Sequence, residues 1–143
     1  MMTILSKRLS IMIFVDTSAL YAVLDVNAAY HARAKEIFPS LISRDELLVT
    51  SNYVLLETLV VVQRRIGLEA ARTLHNELRP VLQVEWVTEA IHDAAEAGLL
   101  LSGRRDLSLV DCVSFELMRQ RGISRAFTFD PHFAEQGFEC LPG

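Results

Sequence analysis

The segment IMIFV at 11–15 constrains this chain more than any other. It is an unbroken apolar run rich in branched side chains, and Asp16 halts it abruptly. A run with no polar alternation is the signature of a strand covered on both faces, as in a parallel sheet. The residues beyond Asp16 keep that rhythm. ALYAVL at 19–24 and AAYHARAKEIF at 28–38 read as helices, the second stopped by Pro39. Residues 47–50 read as a second strand. Ser51 or Asn52 caps a helix running to about Ile66, with Gly67 as its stop. A helix over 68–79 precedes Pro80, and QVEWV at 83–87 reads as a strand. Thr88 caps a helix ending near Gly103, Ser108 opens one closing at Gly122, and RAFTF at 125–129 is the last clear strand. Strands alternating with helices predict one α/β domain with a parallel sheet flanked by helices. A length of 143 residues suits a single domain.

Composition narrows the function. With 14 Lys and Arg against 18 Asp and Glu, the net charge is −4, so bulk charge does not draw this chain to polyanions. Lys7 and Lys35 are its only lysines, which excludes chemistry needing a lysine late in the chain. Its 2 cysteines form no C-x-x-C pair, its 4 histidines have no zinc spacing, and a reducing cytoplasm is expected. No stretch approaches a membrane span, and the apolar run before Asp16 is too short for a signal peptide. Residues 1–11 are expected to form an N-terminal extension, loose or disordered, ahead of a domain at 12–143.

In open parallel sheets the ligand crevice lies beyond the carboxyl ends of the strands. Asp16 follows the first strand and Asp130 the last; Asp111 lies in the first turn of one helix and Glu57 early in another. All four can face one crevice. Each aspartate also has a structural reading: Asp16 as a helix cap, Asp130-Pro131 as a cap with proline first, and Ser108 with Asp111 as a capping box. Glu57 is flanked at helical spacing by Tyr53, Val54, Val60 and Val61, where an ionised carboxylate needs a partner. An ion pair with Arg64 or Arg65, or a solvent-reaching helix edge, is the alternative.

Converging carboxylates repel one another, and a hard divalent cation relieves that strain. Such a cation lets an acidic cleft accept a phosphodiester. Ser18 and Ser114 are placed to support the carboxylates, or are ordinary helix serines. His132, two residues after Asp130, is a candidate to touch a phosphate or, more simply, a surface histidine, and Asp25, Asp93, Asp106 and Glu116 are read as solvated. No P-loop, G-x-G-x-x-G or G-x-S-x-G occurs.

In order and spacing, IFVDTSAL, TSNYVLLETL, DLSLVDCVSFELM, AFTFDPHF and the closing GFECLP resemble the PIN-domain family, and within it the VapC-type toxins of toxin–antitoxin pairs. The resemblance places the family's acids on Asp16, Glu57, Asp111 and Asp130, with Ser18 and Ser114 as their polar companions. It implies an endoribonuclease dependent on Mg²⁺ or Mn²⁺. Asp16, Asp111 and Asp130 would hold the metal, and Glu57 would act through a water or help deprotonate the attacking one. It also implies a homodimer and a cognate antitoxin. Arg64, Arg65, Arg104 and Arg105 are candidates for the RNA backbone, or solvated helix ends. The apolar helices near 20–38 and 52–66 are candidates for antitoxin or dimer contact. A receiver-type signalling domain would want a late lysine, a phosphomonoesterase a D-x-D pair, and a silent binding module would leave four capping acids.

Overall fold

The computed structural model describes residues 11–143; the expectation for 1–11 falls almost wholly outside them. Five strands form one all-parallel sheet in the order β3-β2-β1-β4-β5, so the α/β expectation holds. β1 (Met12–Val15) is central and wholly buried, as its apolar run requires. It pairs with β2 (Leu47–Ser51) through Phe14 and Val49, and with β4 (Arg125–Phe127) through Phe14 and Ala126. β3 (Gln83–Glu85) and β5 (Glu139–Leu141) are the edges. The chain builds outward from β1 to β3 and then returns to β1's other side with β4. The reversal opens a crevice between the carboxyl ends of β1 and β4.

The helices are α1 (Thr17–Leu24), α2 (His31–Ser43), α3 (Asn52–Arg65), α4 (Leu68–Thr73), α5 (Glu89–Ser102), α6 (Leu109–Arg121) and α7 (His132–Glu135). Local chemistry sets their ends. Ser51 accepts the Val54 N–H at 3.1 Å and Thr88 the Ile91 N–H at 3.2 Å. Gly103 and Gly122 end α5 and α6 at φ 65° and 68°, a left-handed conformation that penalises a Cβ. None of the described helices is long and apolar enough to cross a membrane.

Several boundaries differ from expectation. α2 begins at His31, because 28–30 form a turn, and it passes through Pro39. It continues because Ala34, Phe38 and Leu41 are buried on one face spanning the proline, and that burial outweighs the lost backbone bond. The helix over 68–79 is α4 followed by a wider π turn at Leu74–Leu78, then a tight turn at Arg79–Val81 holding Pro80. β3 ends at Glu85, because the Val87 N–H turns to the Asn52 side chain at 2.7 Å. β4 ends at Phe127, and Thr128 and Phe129 lead into the crevice. β5 adds a strand beyond those named from sequence.

Candidate active site

Asp16 is the best-anchored of the four acids. It is 3% exposed, directly after β1, and caps α1 through a 3.3 Å bond from the Ser18 N–H. The same oxygen, Oδ2, accepts the hydroxyls of Ser18 at 2.8 Å and Thr128 at 3.0 Å. Burial pushes its pKa up to about 6, and the charge on Asp111 adds to the rise. The two hydroxyls and the Ser18 N–H oppose it. In turn Ser18 Oγ accepts the Phe129 N–H at 2.9 Å and Thr128 Oγ1 accepts the Asp130 N–H at 3.0 Å. The polar ends of β1 and β4 are thereby tied into one network.

Asp111 closes a capping box: its amide donates to Ser108 Oγ at 3.0 Å, and its Oδ2 accepts the Ser108 N–H at 3.2 Å. Burial raises its pKa above the usual carboxylate range. The charges of Asp130 and Glu57 raise it further, while the Ser108 bonds hold it down. Each of the other three acids is thus close enough to exchange charge repulsion with Asp111. Glu57, half-buried on α3, pairs with neither Arg64 nor Arg65 among the described residues. The capping readings of Asp16 and Asp111 are correct as geometry, and capping fixes these carboxylates at the crevice.

Asp130 Oδ1 accepts the His132 N–H at 2.9 Å, with Pro131 between them in helical conformation, so this acid too caps the helix that follows it, as its sequence suggests. Asp111, Asp130 and His132 each offer a ligand atom, all within 4.8 Å of one another, a group able to hold a metal ion. Carboxylate oxygens crowded by like charge are a donor set suited to a hard divalent cation.

His132 is not the surface histidine read from sequence. It is half-buried, with Nδ1 2.8 Å from Asp130 and Nε2 3.1 Å from Asp106. Hydrogen bonding to Asp106 and the surrounding acids raise its pKa. Its neighbour Phe133 is fully buried, edge-on to Phe115 at 4.9 Å, which plants this segment in the core. Asp106 is exposed, as expected, but is held below the usual carboxylate range by Arg104 and then His132. Thr128 is a residue that sequence reasoning misses; its place two residues before Asp130 is the only local signal.

The remaining candidates separate. Ser18 supports Asp16 directly. Ser114 is buried and donates to the Val110 carbonyl at 2.9 Å, a bond within its own helix rather than to an acid. Arg104 is engaged with Asp106 and Glu135. Arg105 is exposed, Arg64 and Arg65 lie at the exposed end of α3, and Arg65 stacks 5.8 Å from the Tyr21 ring centre.

A PIN domain profile matches residues 13–139. The 23S rRNA-specific endonuclease VapC20 of Mycobacterium tuberculosis, in strains CDC 1551 / Oshkosh and H37Rv, is 38% identical over 128 residues, covering 89% of this chain and 95% of the relative. The crystal structure of that VapC20, described as a Sarcin-Ricin loop cleaving toxin, superposes with a TM-score of 0.78 at 37% identity, covering 88% of this chain and 95% of the other. FitAcB from Neisseria gonorrhoeae shares the fold, with a TM-score of 0.65 at 17% identity over 90% of this chain and 96% of the other. The chain belongs to the PIN domain family and is a homologue of a VapC-type ribonuclease toxin.

Proposed function

We propose that this chain is a divalent-metal-dependent endoribonuclease, the toxin of a toxin–antitoxin pair. The observation that carries the reading is the cluster at the sheet's reversal point, where Asp111, Asp130 and His132 bring ligand atoms within 4.8 Å of one another. Uncompensated carboxylates so arranged are costly to the fold and useful to a cation. A bound Mg²⁺ or Mn²⁺ would supply Lewis acidity and neutralise phosphate charge.

The chain's own residues divide the work. Asp111 and Asp130, held by Ser108 and His132, would hold the metal, with Asp16 fixed on its two hydroxyls as a further acid of the site. Glu57 has no hydrogen-bond partner among the described residues, which leaves its carboxylate free to take a proton from the attacking water. Cleavage in this sense leaves a 5′-phosphate and a 3′-hydroxyl. Its relation to VapC20 makes ribosomal RNA, and the sarcin–ricin loop within it, the first substrate to test. Exposed Leu56, Leu59 and Val60 on α3, with Trp86 beyond β3, support a protein partner, either an antitoxin or a second copy. Action on ribosomal RNA would place the protein in the cytoplasm.

The test is cleavage of a sarcin–ricin oligonucleotide and of 23S rRNA by the partner-free chain in Mg²⁺, Mn²⁺ and EDTA. Cleavage that needs the metal and is lost in Asp111→Asn supports the reading. Absence of both cleavage and Mn²⁺ binding overturns it.

A further inference from the structure

Arg104, Asp106, His132 and Glu135 form a connected set that the reaction itself does not use. Arg104 grips Asp106 with two parallel bonds, Nε to Oδ1 at 3.0 Å and Nη2 to Oδ2 at 2.7 Å. Its remaining Nη1 reaches Glu135 on α7 at 2.9 Å. Asp106 Oδ2 meets His132 Nε2 at 3.1 Å. On the other side of the ring, Nδ1 lies 2.8 Å from Asp130 Oδ1, too far off the donor axis for a good hydrogen bond. The His132 backbone N–H makes the aligned bond to that oxygen.

Arg104 and Asp106 lie in the loop that leads from α5 into Ser108 and Asp111, whereas Asp130, His132 and Glu135 lie between β4 and β5. The two acid-bearing segments are thus clasped together from outside the crevice. A planar guanidinium holding one carboxylate in a fork and a second at its free end fixes geometry better than an isolated surface pair. With Nε2 on Asp106 and Nδ1 facing Asp130, the His132 ring lies between the two acids, and its main-chain N–H holds the second, so the residue is placed to orient Asp130.

We propose that His132, backed by Asp106 and Arg104, is a positioning residue that fixes Asp130 against Asp111 and so sets the affinity of the site for a divalent cation. This rests on the metal-dependent reading of the four acids. Outer partners of metal-binding groups typically change affinity by about 10–100-fold when removed.

The test is Mn²⁺ titration by calorimetry and electron paramagnetic resonance on the full chain, with wild type, Arg104→Ala, Arg104→Lys and His132→Ala, alongside thermal melts without metal. Charge alone predicts that Arg104→Ala binds Mn²⁺ more tightly, because a nearby positive charge has gone. The clasp predicts the opposite: Mn²⁺ affinity about 10-fold weaker, with an unchanged metal-free melt and partial recovery in Arg104→Lys. Affinity equal to or tighter than wild type in Arg104→Ala overturns the proposal and leaves the metal reading intact. Nitrogen hyperfine coupling from His132 on bound Mn²⁺ also overturns it, by making the residue a ligand. A wild-type chain that binds no Mn²⁺ removes both.

Discussion

Thr128 Oγ1 donates to Asp16 Oδ2 across 3.0 Å, although 112 residues separate them in sequence. The bond spans β1 and β4 at the place where the sheet order reverses. Thr128 is 4% exposed, and its one hydroxyl both donates to Asp16 and accepts the Asp130 N–H. Two of the four acids are therefore positioned by one buried atom. Thr128→Val preserves shape but strips Asp16 of a donor and orphans the Asp130 N–H. We expect a loss of about 1–3 kcal/mol in urea unfolding. Because the hydroxyl holds the Asp16 pKa down, the acid limb of the cleavage pH profile moves to higher pH. An unmoved limb would separate Asp16 from catalysis.

Asp16 also makes a prediction about stability. Its pKa rises on folding from 3.8 to about 6, so between those values the native state holds a proton that the unfolded chain has released. Stability from this group is complete below 3.8 and is lost as pH rises through about 6. The loss amounts to roughly 3 kcal/mol in metal-free protein. Other carboxylates with lowered pKa, Asp106 among them, oppose this trend. The signal is therefore the difference from Asp16→Asn. The variant should gain on wild type by roughly that amount between pH 4 and pH 7, in urea melts with EDTA present. A pH-independent difference would contradict the raised pKa.

Glu57 and Asp111 should fail differently. Asp111→Asn keeps an oxygen for the Ser108 N–H and loses the charge at the centre of the cluster. It should melt at or above the wild-type temperature, bind Mn²⁺ weakly, and lose the stabilisation of about 2.7 kcal/mol that a metal at 100 times its Kd supplies. Glu57→Gln should retain most Mn²⁺ affinity while kcat falls about 10²–10⁴-fold, the ordinary cost of losing a general base. If both variants lose metal affinity equally, Glu57 is a ligand instead.

The parts of the fold written in contiguous residues are readable from the sequence. β1 is a bare apolar run and α6 opens on a local capping box, so each follows from its own residues. The four acids are readable because strand ends and helix starts must face one sheet edge. β5 is not, because Glu139–Leu141 is too short and too exposed to carry a pattern. The clasp is not readable either: Asp106 and His132 are 26 residues apart and meet only once the sheet has formed. Ser114 shows the reverse error, since its neighbourhood to Asp111 in sequence is spent on its own helix backbone.

Pro39 offers a test remote from the site. It is exposed, lies inside α2, and removes the backbone donor that would reach the Lys35 carbonyl. Phe38 and Leu41 are buried on either side of it, so tertiary packing holds the helix against the local preference. Interior proline costs a helix about 3 kcal/mol relative to alanine, partly offset by the freedom it removes from the unfolded chain. Pro39→Ala should therefore raise stability by about 1–2 kcal/mol, with cleavage and Mn²⁺ affinity unchanged. Urea unfolding at fixed pH measures it. A destabilised variant would mean that α2 is bent at Pro39 to fit the sheet, and that a straight helix there disturbs the packing of Phe38 on Phe127, whose ring centre lies 6.0 Å away.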